Sequence, residues 1–141
     1  MSAEQGLHLW GRLSSINVRK VVLCAQWLGL ELPRTDAGLS HGVVDTPAYR
    51  ALNPNGLVPL LRDGDFTLWE SNAILRYLCE RQGRGMPTDL RTRADTNRWL
   101  DWQQTTLNRA GSPAFTQWIR TPAERRDLAA IEASVRAAEP L

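Results

Sequence analysis

Ser14, Ser15 and Asn17 lie between a short apolar run and a segment with helical apolar spacing. Side chains of these types are good helix N-caps, because their oxygens accept hydrogen bonds from the amides of the first turn. The same hydroxyls can instead donate a hydrogen bond to a thiolate bound beside the helix N-terminus. Such a charge-assisted bond, about 1.5–3 kcal/mol, corresponds to a fall of about one to two units in the pKa of the thiol. The residue types leave both roles open.

Val58-Pro59 and Glu70-Ser71 form a second group with chemical potential. Proline cannot donate to a β-ladder, so Pro59 indicates a bend or an edge, and a cis Val58–Pro59 bond fits there. This bend would offer the backbone of Val58 to an extended peptide ligand. With Ser71 as a helix N-cap, the amides of Ser71 and Asn72 would suit a carboxylate, and Glu70 can accept an ammonium group. Glutathione combines a peptide backbone, a carboxylate, an ammonium group and a thiol.

Hydrophobic spacing predicts the elements that position these groups. The predicted segments are a strand over 7–10, a helix from Asn17 that Gly29 helps to end, a strand over 32–36, a loop over 37–46, a short helix from Pro47, strands over 57–61 and 66–69 around a turn at Asp63-Gly64, and a helix from Glu70 to a break over 82–87. The order βαβ followed by αββα predicts an α/β thioredoxin-like domain.

Beyond Pro87 the spacing predicts helices only. We expect a helix over about 90–109, a break at Gly111-Ser112-Pro113 followed by a further helical piece, and a last helix after Thr121-Pro122 with Leu128, Ile131 and Val135 on one face. The predicted domains are a thioredoxin-like domain over 1–82, a linker over 83–90 and a partial all-helical domain over 91–141.

The composition narrows the class of protein. A chain of 141 residues can form one ordinary domain or two small ones. The net charge is only +2, and the charged side chains are scattered, so we expect no nucleic-acid partner. No stretch of about 18 apolar residues occurs, so we also expect no membrane partner and a cytoplasmic location.

The cysteines and histidines exclude two kinds of chemistry. Cys24 and Cys79 lie in predicted helices, outside any C-x-x-C pair, and we expect both to be small buried apolar residues. His8 and His41 are far apart, so no metal site is expected. The turn before the first helix holds no cysteine, which excludes dithiol redox chemistry there, because that chemistry requires a thiolate.

Three segments of the first half and one of the second carry a family resemblance. They are residues 11–20, N-P-N-G-L-V-P over 53–59, W-E-S-N-A-I-L-R-Y-L over 69–78, and D-W-Q-Q-T-T-L over 101–107. The first three resemble the N-terminal domain of the cytosolic glutathione S-transferases, and the fourth resembles the first C-terminal helix of their theta class. The Ser14-Ser15 pair resembles bacterial theta-type and zeta-type serine enzymes. Members of this family have further helices, so the chain looks cut short within its second domain.

The resemblance implies a role for each residue at the glutathione site. Pro59 would be the cis-proline, and Val58 would pair with the cysteinyl backbone of glutathione. Glu70, Ser71 and Asn72 would hold the γ-glutamyl end.

The thiol-activating serine stays open. A zeta-like alignment selects Ser14 and a theta-like alignment selects Ser15, and Asn17 could assist either. His41 lies in the loop that would contact the glycyl carboxylate, although a solvated loop histidine is the alternative.

Trp102, Arg109 and Trp118 are candidates for the electrophile pocket. Core packing of Trp99, Trp102 and Trp118, and a solvated Arg109, are the alternatives. The implied protein is a homodimeric glutathione S-transferase that uses glutathione as co-substrate and no metal, and that acts by conjugation, dehalogenation or peroxide reduction. The alternatives are a non-catalytic interaction module of the same fold and a glutathione-dependent disulfide reductase.

Overall fold

The computed structural model describes residues 6–141, which divide into two compact units between Met86 and Pro87. The elements of the first unit are β1 (Leu7–Trp10), α1 (Ile16–Leu28), β2 (Arg34–Thr35), a 3₁₀ turn (Leu39–His41), α2 (Pro47–Leu52), β3 (Leu60–Asp63), β4 (Phe66–Trp69) and α3 (Ser71–Arg81). The strands form one mixed sheet in the order β2-β1-β3-β4, in which β1 and β2 are parallel and the other neighbours antiparallel. This confirms the predicted thioredoxin-like α/β fold.

Apolar side chains on alternate positions of the strands build a core on each face of the sheet. Leu9 and Leu61 are fully buried in a cluster with Val21 of α1 and Ile74 of α3. Leu60, the neighbour of Leu61, lies in a second cluster on the α2 side. Because successive strand residues point to opposite faces, β3 contributes to both cores and is fixed in register between them.

Several predicted boundaries were wrong, and three of them lie around the hairpin and the start of α3. β3 begins at Leu60 rather than at residue 57, because Pro59 follows a cis peptide bond and has no N–H for the ladder. The hairpin turn is centred on Gly64 and Asp65, one residue later than predicted, with Gly64 at φ 63°. α3 begins at Ser71, and its N-cap is Glu70, not Ser71.

The second unit is helical, as predicted. Its elements are α4 (Leu90–Trp102), a π-helical turn (Gln103–Leu107), α5 (Asn108–Phe115), a second π-helical turn (Thr116–Arg120), a 3₁₀ turn (Ala123–Arg125) and α6 (Leu128–Ala138). None of the helices within residues 6–141 has the length and apolar character needed to cross a membrane.

The predicted break at 111–113 was wrong, because α5 passes through it with Pro113 inside the helix. The Ser134 hydroxyl of α6 is inserted beside this proline. It accepts a hydrogen bond from the Ala114 amide at 3.1 Å and donates one to the Ala110 carbonyl. These two groups would otherwise bond to each other, so a neighbouring side chain bridges the helical ladder where the proline disturbs it.

Leu61→Ala tests the core of the first unit. The substitution removes a fully buried side chain and should lower the free energy of unfolding by about 2–5 kcal/mol in denaturant titration. Leu23→Ala is the matched control, because Leu23 is 67% exposed on α1 and its loss should change the free energy by less than about 0.5 kcal/mol. Equal losses in the two variants would contradict the description of the core.

Candidate functional site

Strand register brings the predicted site segments to one end of the sheet. Trp10, the last residue of β1, pairs with Leu60, the first residue of β3, and Leu60 pairs with Trp69, the last residue of β4. The segment after β1, the segment before β3 and the segment after β4 therefore lie side by side. These are the three segments with Ser14-Ser15, Val58-Pro59 and Glu70-Ser71.

The first turns of α1 and α3 are joined by side chains. The Ser71 hydroxyl donates to Asn17 Oδ1 at 3.4 Å, and Lys20 Nζ donates to Asn72 Oδ1 at 2.7 Å. Ser71 and Asn72 are both buried. Each helix N-terminus carries a partial positive charge and amides without partners in the helix, so two adjacent N-termini favour an anionic ligand.

Lys20 adds a cation to this end of α1, which the sequence analysis missed. Its partial burial lowers the pKa of the ammonium group from its ordinary value of 10.5 to about 8, while the nearby Glu70 carboxylate acts in the opposite direction. The one signal in the sequence is that Lys20 is its only lysine among many arginines.

Glu70 holds an unusual backbone conformation directly before α3. Its φ is 73° and its ψ 110°, in a region that residues other than glycine rarely adopt. Strain of this kind costs on the order of 1–3 kcal/mol and is often found where a backbone is shaped for a ligand. The Glu70 side chain is exposed.

The loop that leads to the cis Val58–Pro59 bond is fixed by α2 and the residue after it. The Leu57 carbonyl accepts a hydrogen bond from the Tyr49 hydroxyl at 2.6 Å and another from Asn53 Nδ2 at 2.9 Å. Tyr49 and Asn53 are buried, and burial raises the pKa of Tyr49 to about 12, so its hydroxyl remains a donor. The half-buried Val58 is thus held at the end of the sheet. The sequence analysis did not predict the support that Tyr49 and Asn53 give to this loop.

The two serines differ in exposure. Ser15 is the N-cap of α1 by its backbone angles and is 6% exposed, but its side chain makes no capping hydrogen bond. Ser14 is exposed in the turn just before it. Ser14 is therefore the more exposed residue of the pair, and the Ser15 hydroxyl is not used as a helix cap.

The loop after β2 also reaches this end of the sheet. Gly38 has a φ of 85°, which strains other residues, and a Cβ added there would meet Arg12 Nη1 and lie 3.6 Å from Val58 Cγ1, so the loop passes close to both residues. Arg12 is buried beneath the loop, another residue that the sequence analysis missed. His41 is exposed on the 3₁₀ turn of the same loop.

The three candidates for the electrophile pocket all lie in the second unit. Trp102 packs edge-on against Trp99 with 5.3 Å between ring centroids. Trp118 is 51% exposed, and the Arg126 guanidinium lies 4.8 Å from its ring centroid. Arg109 is exposed on α5. Trp99 is 55% exposed, so neither it nor Trp118 is a core residue of this unit.

Residues 6–141 contain no group of three or more His, Cys, Asp or Glu side chains that could hold a metal ion. The polar groups at the sheet end include hydroxyls, amides, the Lys20 ammonium group, the Arg12 guanidinium and the Glu70 carboxylate, which suit a polar organic ligand with both charges.

Comparison with known proteins identifies a family. The family model for the N-terminal domain of glutathione S-transferases matches residues 14–81. The chain is 44% identical over 137 residues to glutathione S-transferase GstB of Escherichia coli K12, covering 94% of this chain and 66% of that protein. It is 36% identical over 120 residues to mouse glutathione S-transferase theta-3, covering 83% of this chain and 50% of that protein.

A solved structure gives the same result. The theta class glutathione S-transferase of Xanthomonas axonopodis pv. citri, with glutathione bound, superimposes with a TM-score of 0.92 at 42% identity. The match covers 96% of this chain and 66% of that one. The chain therefore spans two thirds or less of the length of these relatives.

Lys20→Gln tests the electrostatics of the two helix N-termini. The pKa of Lys20 is lower in the folded protein than in the unfolded chain, so the folded protein binds fewer protons between about pH 8 and 10.5. This lysine therefore makes the free energy of unfolding rise with pH across that window. The free energy of unfolding of the wild type minus that of Lys20→Gln should therefore increase from pH 8 to pH 10 in denaturant titrations. Arg19→Gln is the control, because Arg19 is the exposed neighbour of Lys20 in the sequence. The wild-type value minus the Arg19→Gln value should not change with pH. A flat or falling difference for Lys20→Gln would contradict the assignment.

Proposed function

The chain belongs to the glutathione S-transferase family, and from this premise we propose that it binds glutathione at the sheet end described above and activates its thiol for attack on an electrophile. The observation that carries the proposal is the strand register, which places two helix N-termini and a cis peptide bond side by side. These features offer positive potential and a backbone edge to one extended, doubly charged peptide.

The γ-glutamyl end of glutathione fits the start of α3. Its carboxylate would accept hydrogen bonds from the amides of Ser71 and Asn72, and its ammonium group would pair with Glu70. Asn17 orients the Ser71 hydroxyl through their hydrogen bond, and Lys20 contributes positive charge beside the carboxylate. This pairing accounts for both signs of charge at the site.

The rest of the peptide would extend across the neighbouring segments. The cysteinyl N–H and C=O would pair with the backbone of Val58, which lies just before β3 and outside its ladder. The glycyl carboxylate would reach the loop with His41. These placements put the thiol next to the start of α1.

Ser14 is the proposed thiol activator. Ser14 is the more exposed of the two residues and lies in the turn directly before the α1 N-terminus, so its hydroxyl can donate to the glutathione sulfur. The hydrogen bond and the positive end of α1 stabilise the thiolate, so the thiol loses its proton to water more readily. The sulfur lone pair then forms a C–S bond with the electrophilic carbon as the leaving group departs with its bonding electrons. With a peroxide as the electrophile, the sulfur attacks one oxygen, the O–O bond breaks, and the other oxygen leaves with the bonding electrons and takes up a proton. The glutathione sulfenic acid formed then reacts with a second glutathione to give glutathione disulfide and water.

Membership of the family also supports proposals for the electrophile pocket and for the oligomeric state. Trp102, Arg109 and Trp118 are proposed to line the electrophile pocket, with the indole rings supplying apolar surface. We also propose that the active protein is a homodimer that takes a small electrophilic substrate and uses no metal.

Ser71→Ala tests the placement of the γ-glutamyl end. The variant keeps the backbone amide but loses the hydroxyl that bonds to Asn17 and helps to hold the starts of α1 and α3 together. The affinity for glutathione should therefore fall at least about fivefold, equivalent to about 1 kcal/mol, in isothermal titration calorimetry. Thr67→Ala is the matched control, because it removes a hydroxyl from β4 away from this end of the sheet and should leave the affinity unchanged. Unchanged affinity in Ser71→Ala would contradict a role for this hydroxyl in holding the γ-glutamyl end.

Ser14→Ala and Ser15→Ala test the thiol activator as a pair. In Ser14→Ala the pKa of the bound glutathione thiol should rise by about one to two units, because the hydrogen bond to the thiolate is lost, with nearly unchanged affinity. In Ser15→Ala the pKa of the thiol should stay as in the wild type. Ultraviolet titration of the thiolate measures both. The reverse pattern would assign the role to Ser15, and small equal effects would assign it to the backbone amides.

A further inference from the structure

The two cysteines of the chain lie opposite each other on α1 and α3. Cys24 Sγ and Cys79 Sγ are 3.8 Å apart, although 55 residues separate them in the sequence. Both are free thiols; Cys79 is buried, whereas Cys24 is only partly buried. The expectation that both are buried apolar residues was therefore wrong for Cys24, and the proposed glutathione site gives neither thiol a role.

The loop after α3 is built closely over this pair. The Arg84 amide donates to the Cys79 carbonyl at 3.0 Å, which closes the C-terminus of α3. A Cβ added to Gly85, whose φ is 93°, would lie 2.8 Å from Cys79 Sγ and 2.9 Å from Trp27 Cζ3. The Arg84 guanidinium covers the outer face of Trp27 at 4.2 Å from the ring centroid. Cys79 is thus shielded by the loop, and Cys24 is the more accessible thiol.

We propose that Cys24 and Cys79 are a redox modification site, at which a low-molecular-weight disulfide such as glutathione disulfide converts the two thiols into one reversible intramolecular disulfide. The sulfur atoms need to approach by about 1.8 Å to reach a bond of about 2.05 Å. The inference does not depend on the proposed transferase activity.

The reaction proceeds by two exchange steps. Cys24 loses its proton, its thiolate attacks one sulfur of glutathione disulfide, and one glutathione leaves as a thiolate. Cys79 then loses its proton and attacks Cys24 Sγ, which breaks the mixed disulfide and releases the second glutathione. The protein loses two electrons and two protons, and one glutathione disulfide becomes two molecules of glutathione.

The surroundings make this a slow modification. Burial and the neighbouring Cys79 raise the pKa of the Cys24 thiol to about 12, so the reactive thiolate is scarce at neutral pH. Once formed, the bond would close a loop that contains β2, α2 and the hairpin of β3 and β4. A disulfide across a loop of this length restricts the unfolded chain and stabilises the fold.

The test is oxidation of the full chain with glutathione disulfide under native conditions, at mildly alkaline pH, followed by alkylation and mass spectrometry. The wild type should lose two hydrogen atoms and accept no alkyl group, and dithiothreitol should restore both thiols. Cys24→Ser and Cys79→Ser are the matched variants, and neither should form an intramolecular bond. Cys79→Ala replaces Cys79→Ser if the buried hydroxyl prevents folding.

Thermal unfolding gives a second readout. The oxidised wild type should unfold on the order of 10 °C above the reduced protein, and neither single variant should gain this increase. Three results would overturn the proposal: a wild type that keeps two alkylatable thiols, one that stops at the glutathione mixed disulfide, or one that forms disulfides only between chains. An intramolecular bond that lowers the unfolding temperature would also contradict it.

Discussion

The pairing of Trp10 with Leu60 and of Leu60 with Trp69 determines where the proposed contacts to the γ-glutamyl and cysteinyl parts of glutathione lie. Three segments that are distant in sequence leave or enter the sheet at this row of residues. A shift of one residue in β3 would exchange its two faces, and Leu60 and Leu61 would both leave their apolar clusters. The free energy that holds the register is therefore the same hydrophobic burial that forms the two cores.

Polar contacts then fix the segments that the register brings together. Asn17 and Lys20 of α1 contact Ser71 and Asn72 of α3, so the two helix N-termini are held next to each other before any ligand binds. Tyr49 and Asn53 hold the loop before the cis bond through the Leu57 carbonyl in the same way. A site arranged in advance loses less conformational entropy when a flexible tripeptide binds. The strained backbone of Glu70 and the lowered pKa of Lys20 are costs of this arrangement.

The predictions that succeeded depend on local chemistry. Apolar spacing predicted the strands and helices of the first unit, and the inability of Pro59 to join a ladder predicted a bend at which a cis bond fits. The failures depend on tertiary structure. No local pattern indicates that the Ser134 hydroxyl bridges α5 beside Pro113, or that Cys24 and Cys79 meet across two helices. The positive φ of Glu70, which moves the N-cap from Ser71, is imposed by the junction between β4 and α3.

The central claim is that glutathione binds where the starts of α1 and α3 meet the cis peptide bond. Backbone amide NMR during titration of the full chain with glutathione tests it most directly, because it reports the position of the ligand without any substitution. The account predicts that the largest chemical-shift changes fall on the amides of Val58, Ser71 and Asn72. Saturable binding with the largest changes elsewhere, or no saturable change at these amides, would contradict it.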